Sequence, residues 1–417
     1  MPIEPFPINI LHFAINYVRS GVEEHILLLL RGLDRRYFRS ILVCPAELVE
    51  KYGTDLPPDV EYVPMQLRIP KPSYAATAYQ FANILRHHRI DILHSHMFQA
   101  SRLVSPVGRA CGVPVIIETA HVREQWRSGW VKGNFAIDRL VGRFVDHYIA
   151  VSEANARYLV QEKRLPARKI HVIPNGCSVK RVESSRSARQ QLRDRLGFAK
   201  DDPVLLVIAR LEPQKGHRVL LEAMPEIRRE FPRIRLVCVG EGCLRQELEL
   251  HVRTLELQDV VRFVGFQSSV GDWFALADIS VLPSFYEGLP LVAIESLAAG
   301  CVVVATAVDG TPEVIRNEKT GLTVPPGDSP SMANAILRLL KEPDLRSRLV
   351  AAGKDWIRNH FSEDQQIHRT EQLYIHALEM SPRNKKHDTP IVPLGTDLTR
   401  NVYSPNELEK FPRANGF

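Results

Sequence analysis

Short apolar runs rich in β-branched residues alternate with amphipathic segments of helical length along almost the whole 417-residue chain. This alternation constrains the fold more than any other feature, because strands interleaved with helices form a mostly parallel sheet covered on both faces. A first set of strands is expected at 8–14, 40–44, 90–94, 113–119 and 147–151, with helices at 23–33, 75–88, 100–111 and 135–144 between them. A second set is expected at 204–209, 234–239, 261–264, 279–283, 301–305 and 321–324. Its helices are expected at 217–230, 243–255, 270–277, 290–299, 311–315 and 331–341. Two such sets imply an α/β chain of two doubly wound, Rossmann-like domains. Ligands of these sheets bind beyond the carboxyl ends of the strands, so two domains facing each other would share one cleft.

The turn cluster Ile173-Pro174-Asn175-Gly176 and the weakly patterned 179–187 behind it put the boundary near residue 178. The expected domains are therefore 1–178 and 179–361. Residues 381–417 hold Pro382, Pro390, Pro393, Pro405 and Pro412 without sustained periodicity and read as a tail.

Composition excludes several classes. With 45% hydrophobic and 24% charged residues the chain is neither disordered nor collagen-like. The net charge of +6 resides in residues 1–178, which hold 22 Lys/Arg against 16 Asp/Glu. That half faces an acidic partner or surface more readily than the rest. The excess is too small to argue for nucleic acid, and no basic-aromatic code for a single strand is present. The six cysteines are scattered, with no Cys-x2-Cys pair, which fits a reducing compartment and no zinc knuckle. The start Met-Pro-Ile-Glu-Pro lacks the pattern of a signal peptide. The longest apolar window, 291–308, contains Glu295 and a break at Ala298-Ala299-Gly300, so a buried helix followed by a buried strand is expected. A soluble, cytoplasmic protein is expected, with the cytosolic face of a membrane as an alternative station.

Two polar constellations carry chemistry. Arg210 and Lys215 leave the strand end after 204–209 within Arg-Leu-Glu-Pro-Gln-Lys-Gly, five residues apart, where they can converge on one anion. Taken alone, the same loop could be a solvated surface. The second constellation is Ser284-Phe285-Tyr286-Glu287-Gly288-Leu289-Pro290 leading into a helix that carries Glu295. Gly288 allows close backbone approach, and Pro290 suits the first helical turn. The free N–H groups there favour a phosphate. Glu295, one turn beyond Leu291, can accept ribose hydroxyls or be a buried ion-pair partner. Glu287 can hold a sugar hydroxyl or balance a cation.

Glu287 and Glu295 enclose seven residues, and this Glu-x7-Glu resembles the signature of retaining GT-B glycosyltransferases of the family-4 (group 1) type. Other pieces match in order. The Arg210/Lys215 loop is similar to the family's diphosphate loop, and Val172-Ile173-Pro174-Asn175-Gly176 resembles its interdomain linker. Ala150-Val151-Ser152-Glu153, Asp278–Ser284, Asp91–His96 and Glu118–His121 also match, so that the resemblance covers about residues 8–380. It implies a helix over 362–380 packing back on the first domain. It also implies transfer of a sugar from a nucleotide-diphosphate donor, a UDP-sugar rather than GDP-mannose, to a glycan or lipid-linked acceptor in cell-surface polysaccharide or glycoconjugate synthesis, with retention and without cofactor. The chain has no Asp-x-Asp for a metal-bridged diphosphate.

Position by position, the resemblance assigns Arg210 and Lys215 to the diphosphate and Glu295 to the ribose. Glu287 with Gly288, Leu289, Pro290 and Leu291 would hold sugar and phosphate, and His121 would lie beside the reacting sugar. Ser20 and Gly21 would approach the phosphate, and Gly240, Glu241 and Phe266 would face the base. Where the family has two glycines before the first helix, Ser20 takes the first place, which puts its role in question.

His94 and His96 are read as pointing to opposite sides of their strand, one into the core and His96 towards the cleft. Trp126 and Trp130, among Arg123, Arg127, Lys132, Arg139 and Arg143, could rest on a membrane surface or simply pack. Gly240-Glu241-Gly242 imitates a dinucleotide loop, but Arg245 stands at its third glycine position, which argues against NAD. Two readings remain beside the transferase. One is a non-catalytic nucleotide-sugar-binding protein, the other a GT-B-shaped epimerase or phosphorylase.

Overall fold

The computed structural model describes residues 7–17, 19–65, 74–124, 135–182 and 187–384. The chain forms two compact units, Met1–Pro174 with Asp364–Phe417, and Asn175–Glu363.

The first unit is built on seven parallel strands: β1 (Ile8–Phe13), β2 (Phe38–Cys44), β3 (Glu61–Pro64), β4 (Ile92–His96), β5 (Val115–Ala120), β6 (His147–Ala150) and β7 (Ile170–Val172). They lie in the order β3-β2-β1-β4-β5-β6-β7. The central strands are buried on both faces, which is why they read as unbroken apolar runs. The helix Glu363–Glu379 closes one face of this sheet. Leu373, Tyr374 and Leu378 pack there with Ile8, Ile10, Ile92 and Ile117. Gly32 makes room for it, since a Cβ there would fall 2.0 Å from Ile367.

The second unit carries six parallel strands: β8 (Val204–Ile208), β9 (Arg235–Val239), β10 (Val261–Gly265), β11 (Ile279–Leu282), β12 (Val302–Thr306) and β13 (Leu322–Val324). Their order is β10-β9-β8-β11-β12-β13. The apolar window resolves into the helix Leu291–Ala299 and then β12, most of it buried. The Pro-Asn-Gly turn opens this unit: the Asn175 side chain donates to Leu289 O at 3.3 Å. Cys177 runs beside Phe361–Glu363, and Gly176 fits there because a Cβ would meet Ser362 O at 2.3 Å.

All six expected strands of the second set are present, and five of the first. The sequence reading missed β3 and β7, the edge strands of their sheet. β3 is four residues, half-exposed and ends in Pro64; β7 is three residues. Neither leaves an apolar run long enough to stand out. Also missed were the helices Ala46–Tyr52, Glu153–Gln161, Ala188–Leu196 and Pro343–His360, which bury only two to four residues each.

In both sheets the strand order reverses once, between β1 and β4 and between β8 and β11. At such a switch point the connecting segments leave in opposite directions and open a crevice at the carboxyl ends of the strands. The chemistry-bearing side chains collect at these two places.

Candidate functional site

In the second unit the loop after β8 carries Arg210 and Lys215, and the loop after β11 carries Ser284 and Glu287. The two loops flank the switch point and are joined there. Lys215 Nζ lies 2.6 Å from Glu287 Oε1, and Ser284 Oγ donates to the same oxygen at 2.7 Å. Phe285 N donates to Gln214 O at 2.8 Å, and the Gln214 amide donates to Tyr286 O at 2.9 Å. Gly216 permits this closeness. Its φ is +62°, and a Cβ would fall 2.0 Å from Pro283 O.

Arg210 reaches Glu212 Oε1 at 2.6 Å, with side chains 41% and 33% exposed. An exposed pair of this kind is worth about 0–1 kcal/mol, so the guanidinium can exchange partners at little cost. The Glu287 N–H donates to the Asp309 carboxylate at 2.9 Å. Glu287 itself is buried, as are Gly288, Leu289 and Pro290, and the helix begins at Leu291. Pro290 thus stands at the cap position rather than inside the first turn. Glu295 is half-buried one turn into that helix.

Glu241 and Phe266 follow β9 and β10. Gly240 N donates to Gly265 O at 2.8 Å and Leu211 N to Glu241 O at 3.0 Å, which ties three strand ends together. Phe266 is 54% exposed, an open aromatic face on which a planar ring can stack. Glu241 is exposed, 3.5 Å from Arg245. Beneath Lys215, His217 is buried, and burial together with the Lys215 charge lowers its pKa to about 4. Neither of its ring nitrogens has a hydrogen-bond partner.

In the first unit five histidines meet at the carboxyl ends of β1, β4 and β5 and on the helix Gly21–Gly32: His12, His25, His94, His96 and His121, all buried. The reading that set His94 and His96 on opposite sides of the strand is wrong. Residues two apart share a face, and the two rings lie 4.3 Å apart. Both are also buried, so neither is set apart as the open one. His94 bonds Tyr374 OH at 2.6 Å and Thr119 Oγ1 at 2.7 Å. His96 lies between His12 (3.4 Å) and His121 (3.3 Å). Burial first, and repulsion by neighbouring rings second, holds His94, His96 and His121 well below the usual histidine range, and His12 at about 3. His12, His94, His96 and His121 are therefore neutral at pH 7.

Close by, Lys163 is buried between Glu124 (2.7 Å) and Asp138 (2.9 Å). Burial, only partly offset by Lys163, pushes Glu118 up to about 7. Ser20 Oγ donates to Glu23 Oε2 at 2.5 Å, so its hydroxyl proton is already engaged, while Gly21 opens the first helix. Trp126, Trp130, Arg127 and Lys132 lie outside the described residues, as does the tail beyond 384. Among the described residues no helix is long and apolar enough to cross a membrane.

The structure brings together Lys215 and Glu287, and ties the Gly240, Glu241 and Phe266 strand ends to Leu211, beside Arg210. It adds Gln214 and Asp309, which sequence reasoning passed over. Gln214 sits inside the Arg/Lys loop and could have been found by its place. Asp309 could not, because its bond to Glu287 spans a helix and a strand.

Comparison with known proteins follows the same division. The Glycosyl transferases group 1 family model matches residues 188–356, and the Glycosyltransferase Family 4 model matches 19–181. An uncharacterized glycosyltransferase of Methanocaldococcus jannaschii is 29% identical over 71% of this chain and 77% of its own. The putative glycosyltransferase EpsD of Bacillus subtilis is 28% identical over 75% and 84%. Among solved structures, Anabaena HepE in complex with UDP and glucose superposes with a TM-score of 0.78 at 18% identity, over 88% of this chain and 99% of that one.

Proposed function

The chain belongs to the family-4, group 1 glycosyltransferases of GT-B fold, and from that premise we propose that it is a retaining enzyme using a UDP-sugar. The observation that carries this reading is the Lys215–Glu287 pair at the switch point of the second unit, beside the start of the helix Leu291–Ala299.

A diphosphate needs positive charge and directed N–H groups. Arg210 and Lys215 supply the first, and the helix start after Gly288, Leu289 and Pro290 supplies the second. On this reading Glu287 accepts hydroxyls of the donor sugar once Lys215 turns to the phosphate, Glu295 accepts those of the ribose, and the base lies against Phe266 near Gly240 and Glu241. On the same reading the first unit takes the acceptor, and the family resemblance assigns His121 to the reacting sugar and the Ser20-Gly21 backbone to phosphate. The bond from the anomeric carbon to the diphosphate breaks through an oxocarbenium-like transition state. The acceptor oxygen adds on the same face, and the departing phosphate oxygen takes the acceptor proton. The cationic side chains and helix dipole stabilise the leaving charge without a metal.

UDP is favoured because the Tyr286–Pro290 segment is most like that of UDP-using members, and because the HepE structure holds UDP. The basic bias of residues 1–178 supports an acidic or lipid-linked acceptor in polysaccharide or glycoconjugate synthesis at the cytosolic face of a membrane, touched through Trp126 and Trp130. The test is thermal stabilisation by UDP, GDP and ADP on wild type and Arg210→Ala/Lys215→Ala, followed by turnover with the matching sugar donors. A ligand at a hundred times its dissociation constant adds about 2.7 kcal/mol. UDP stabilising only the wild type supports the reading. No stabilisation by any nucleotide at millimolar concentration overturns it in favour of a scaffold.

A further inference from the structure

The histidine cluster of the first unit holds more imidazole than the transfer reaction uses. One ring, His121, is assigned to the sugar; His12, His25, His94 and His96 are not. The five do not form a uniform cluster. His94 has both nitrogens engaged, by Tyr374 and Thr119, and is fixed as a core residue. His25, His96 and His121 differ, because one nitrogen from each lies within 4.8 Å of the others.

We propose that His25, His96 and His121 form a binding site for a divalent transition-metal ion of the zinc class. Zinc takes histidine nitrogens at about 2.0–2.1 Å in a tetrahedron, which sets neighbouring ligand nitrogens about 3.3 Å apart. His96 Nδ1 and His121 Nε2 already stand at 3.3 Å. The His25 ring is 4.7 Å from the His121 ring, at 89° to it, so a small rotation brings its nitrogen to the third corner.

Two of the remaining nitrogens have hydrogen-bond partners that can fix the ring orientation, as outer-shell partners do for metal-bound imidazoles. His96 Nε2 faces His12 Nδ1 at 3.4 Å and can donate to it, which leaves Nδ1 bare for the ion. His25 Nδ1 faces the Gln366 amide at 2.9 Å. With that amide turned oxygen-first, Nδ1 keeps its proton and Nε2 is left as the ligand atom. His121 is the most exposed of the three, at 8%, so the ion enters from its side and keeps a fourth position there for water or an anion. Occupancy takes His121 Nε2 out of the transfer reaction. That consequence rests on the function proposed above, whereas the site itself rests on geometry alone.

The experiment is titration of the untagged full chain with Co²⁺, read as d–d absorption, on wild type, His25→Gln, His96→Gln and the surface control His87→Gln. One equivalent giving an intense tetrahedral spectrum is expected in wild type and in His87→Gln, with affinity lowered at least about tenfold in the other two. No tetrahedral spectrum in wild type, or an affinity unchanged in both cluster variants, overturns the proposal. Should either cluster variant fail to fold, zinc-edge X-ray absorption of the loaded wild type decides. Three imidazoles support the site and fewer overturn it. Neither readout involves sugar transfer, so a failed metal site leaves the nucleotide-stabilisation result untouched.

Discussion

Lys215 and Glu287, 72 residues apart in sequence, bring their charges to 2.6 Å across the switch point of the second unit, with side chains 19% and 9% exposed. The pair keeps a cation aimed into the crevice and neutralised until an anion arrives. On the function proposed above, an arriving diphosphate would compete with Glu287 for the ammonium and free the carboxylate for the sugar.

Replacing Lys215 by Ala removes one charge-assisted hydrogen bond, worth about 1.5–3 kcal/mol. Donor affinity and kcat/KM are expected to fall about 10- to 150-fold, as read by calorimetry and by initial rates. An unchanged donor affinity would place the diphosphate elsewhere.

Gly216 and Gly197 both have left-handed backbones, at φ +62° and +69°, but only Gly216 has an obstacle, Pro283 O, where a Cβ would stand. Gly197→Ala is expected to cost about 1–2 kcal/mol from backbone conformation alone. Gly216→Ala is expected to cost more and to weaken nucleotide binding as well, because the Lys215 loop must lift away from β11. Urea melts with and without UDP compare the two.

His217 titrates near 4 in the folded chain against about 6.5 in an unfolded one. Between these values the unfolded state binds more protons, so stability rises with pH across this window and is complete above it. Acidification from pH 6.5 towards 4 should destabilise wild type relative to His217→Leu by at most about 1.4 kcal/mol per pH unit. Denaturant melts at pH 5 and 7 give the two slopes; equal slopes would rule the histidine out.

Asp309 anchors the backbone of Glu287. Asp309→Ala should raise the donor dissociation constant several-fold, with Asp309→Asn intermediate because its side-chain oxygen still accepts. Identical affinities in all three would mean the loop holds its shape unaided.

If the acceptor is lipid-linked, Trp126→Ala/Trp130→Ala should lower binding to vesicles of anionic lipid while leaving UDP binding intact. Co-sedimentation measures the first and calorimetry the second. Vesicle binding equal to wild type removes the membrane contact.

The fold was legible wherever a strand is buried on both faces, because burial demands an unbroken apolar run. Val204–Ile208 and Val302–Thr306 announce themselves in this way. Glu61–Pro64 does not, since an edge strand need satisfy only one neighbour. The two loops of the candidate site were legible as segments as well: Arg210, Lys215, Glu287 and Glu295 lie in two short stretches where charge, glycine and proline fall together. Asp309 was not, because its role comes from a chain crossing that no local pattern encodes. The histidine cluster was half visible. His94, His96 and His121 stood out as histidines at strand ends, yet their shared face was misread, and His12 and His25 looked like ordinary members of an apolar strand and an amphipathic helix.

The helix Glu363–Glu379 fills the core of the first unit only after the ribosome has made all of the second. The stretch 175–363 is continuous and holds its own sheet, so it can complete its fold while the first sheet still waits for Tyr374 to reach His94. The second unit is thus free to mature before the first, although it is synthesised later. A released chain ending at residue 363 would carry the whole of the second unit attached to a first unit with one face of its sheet still open to whatever chaperone attends it.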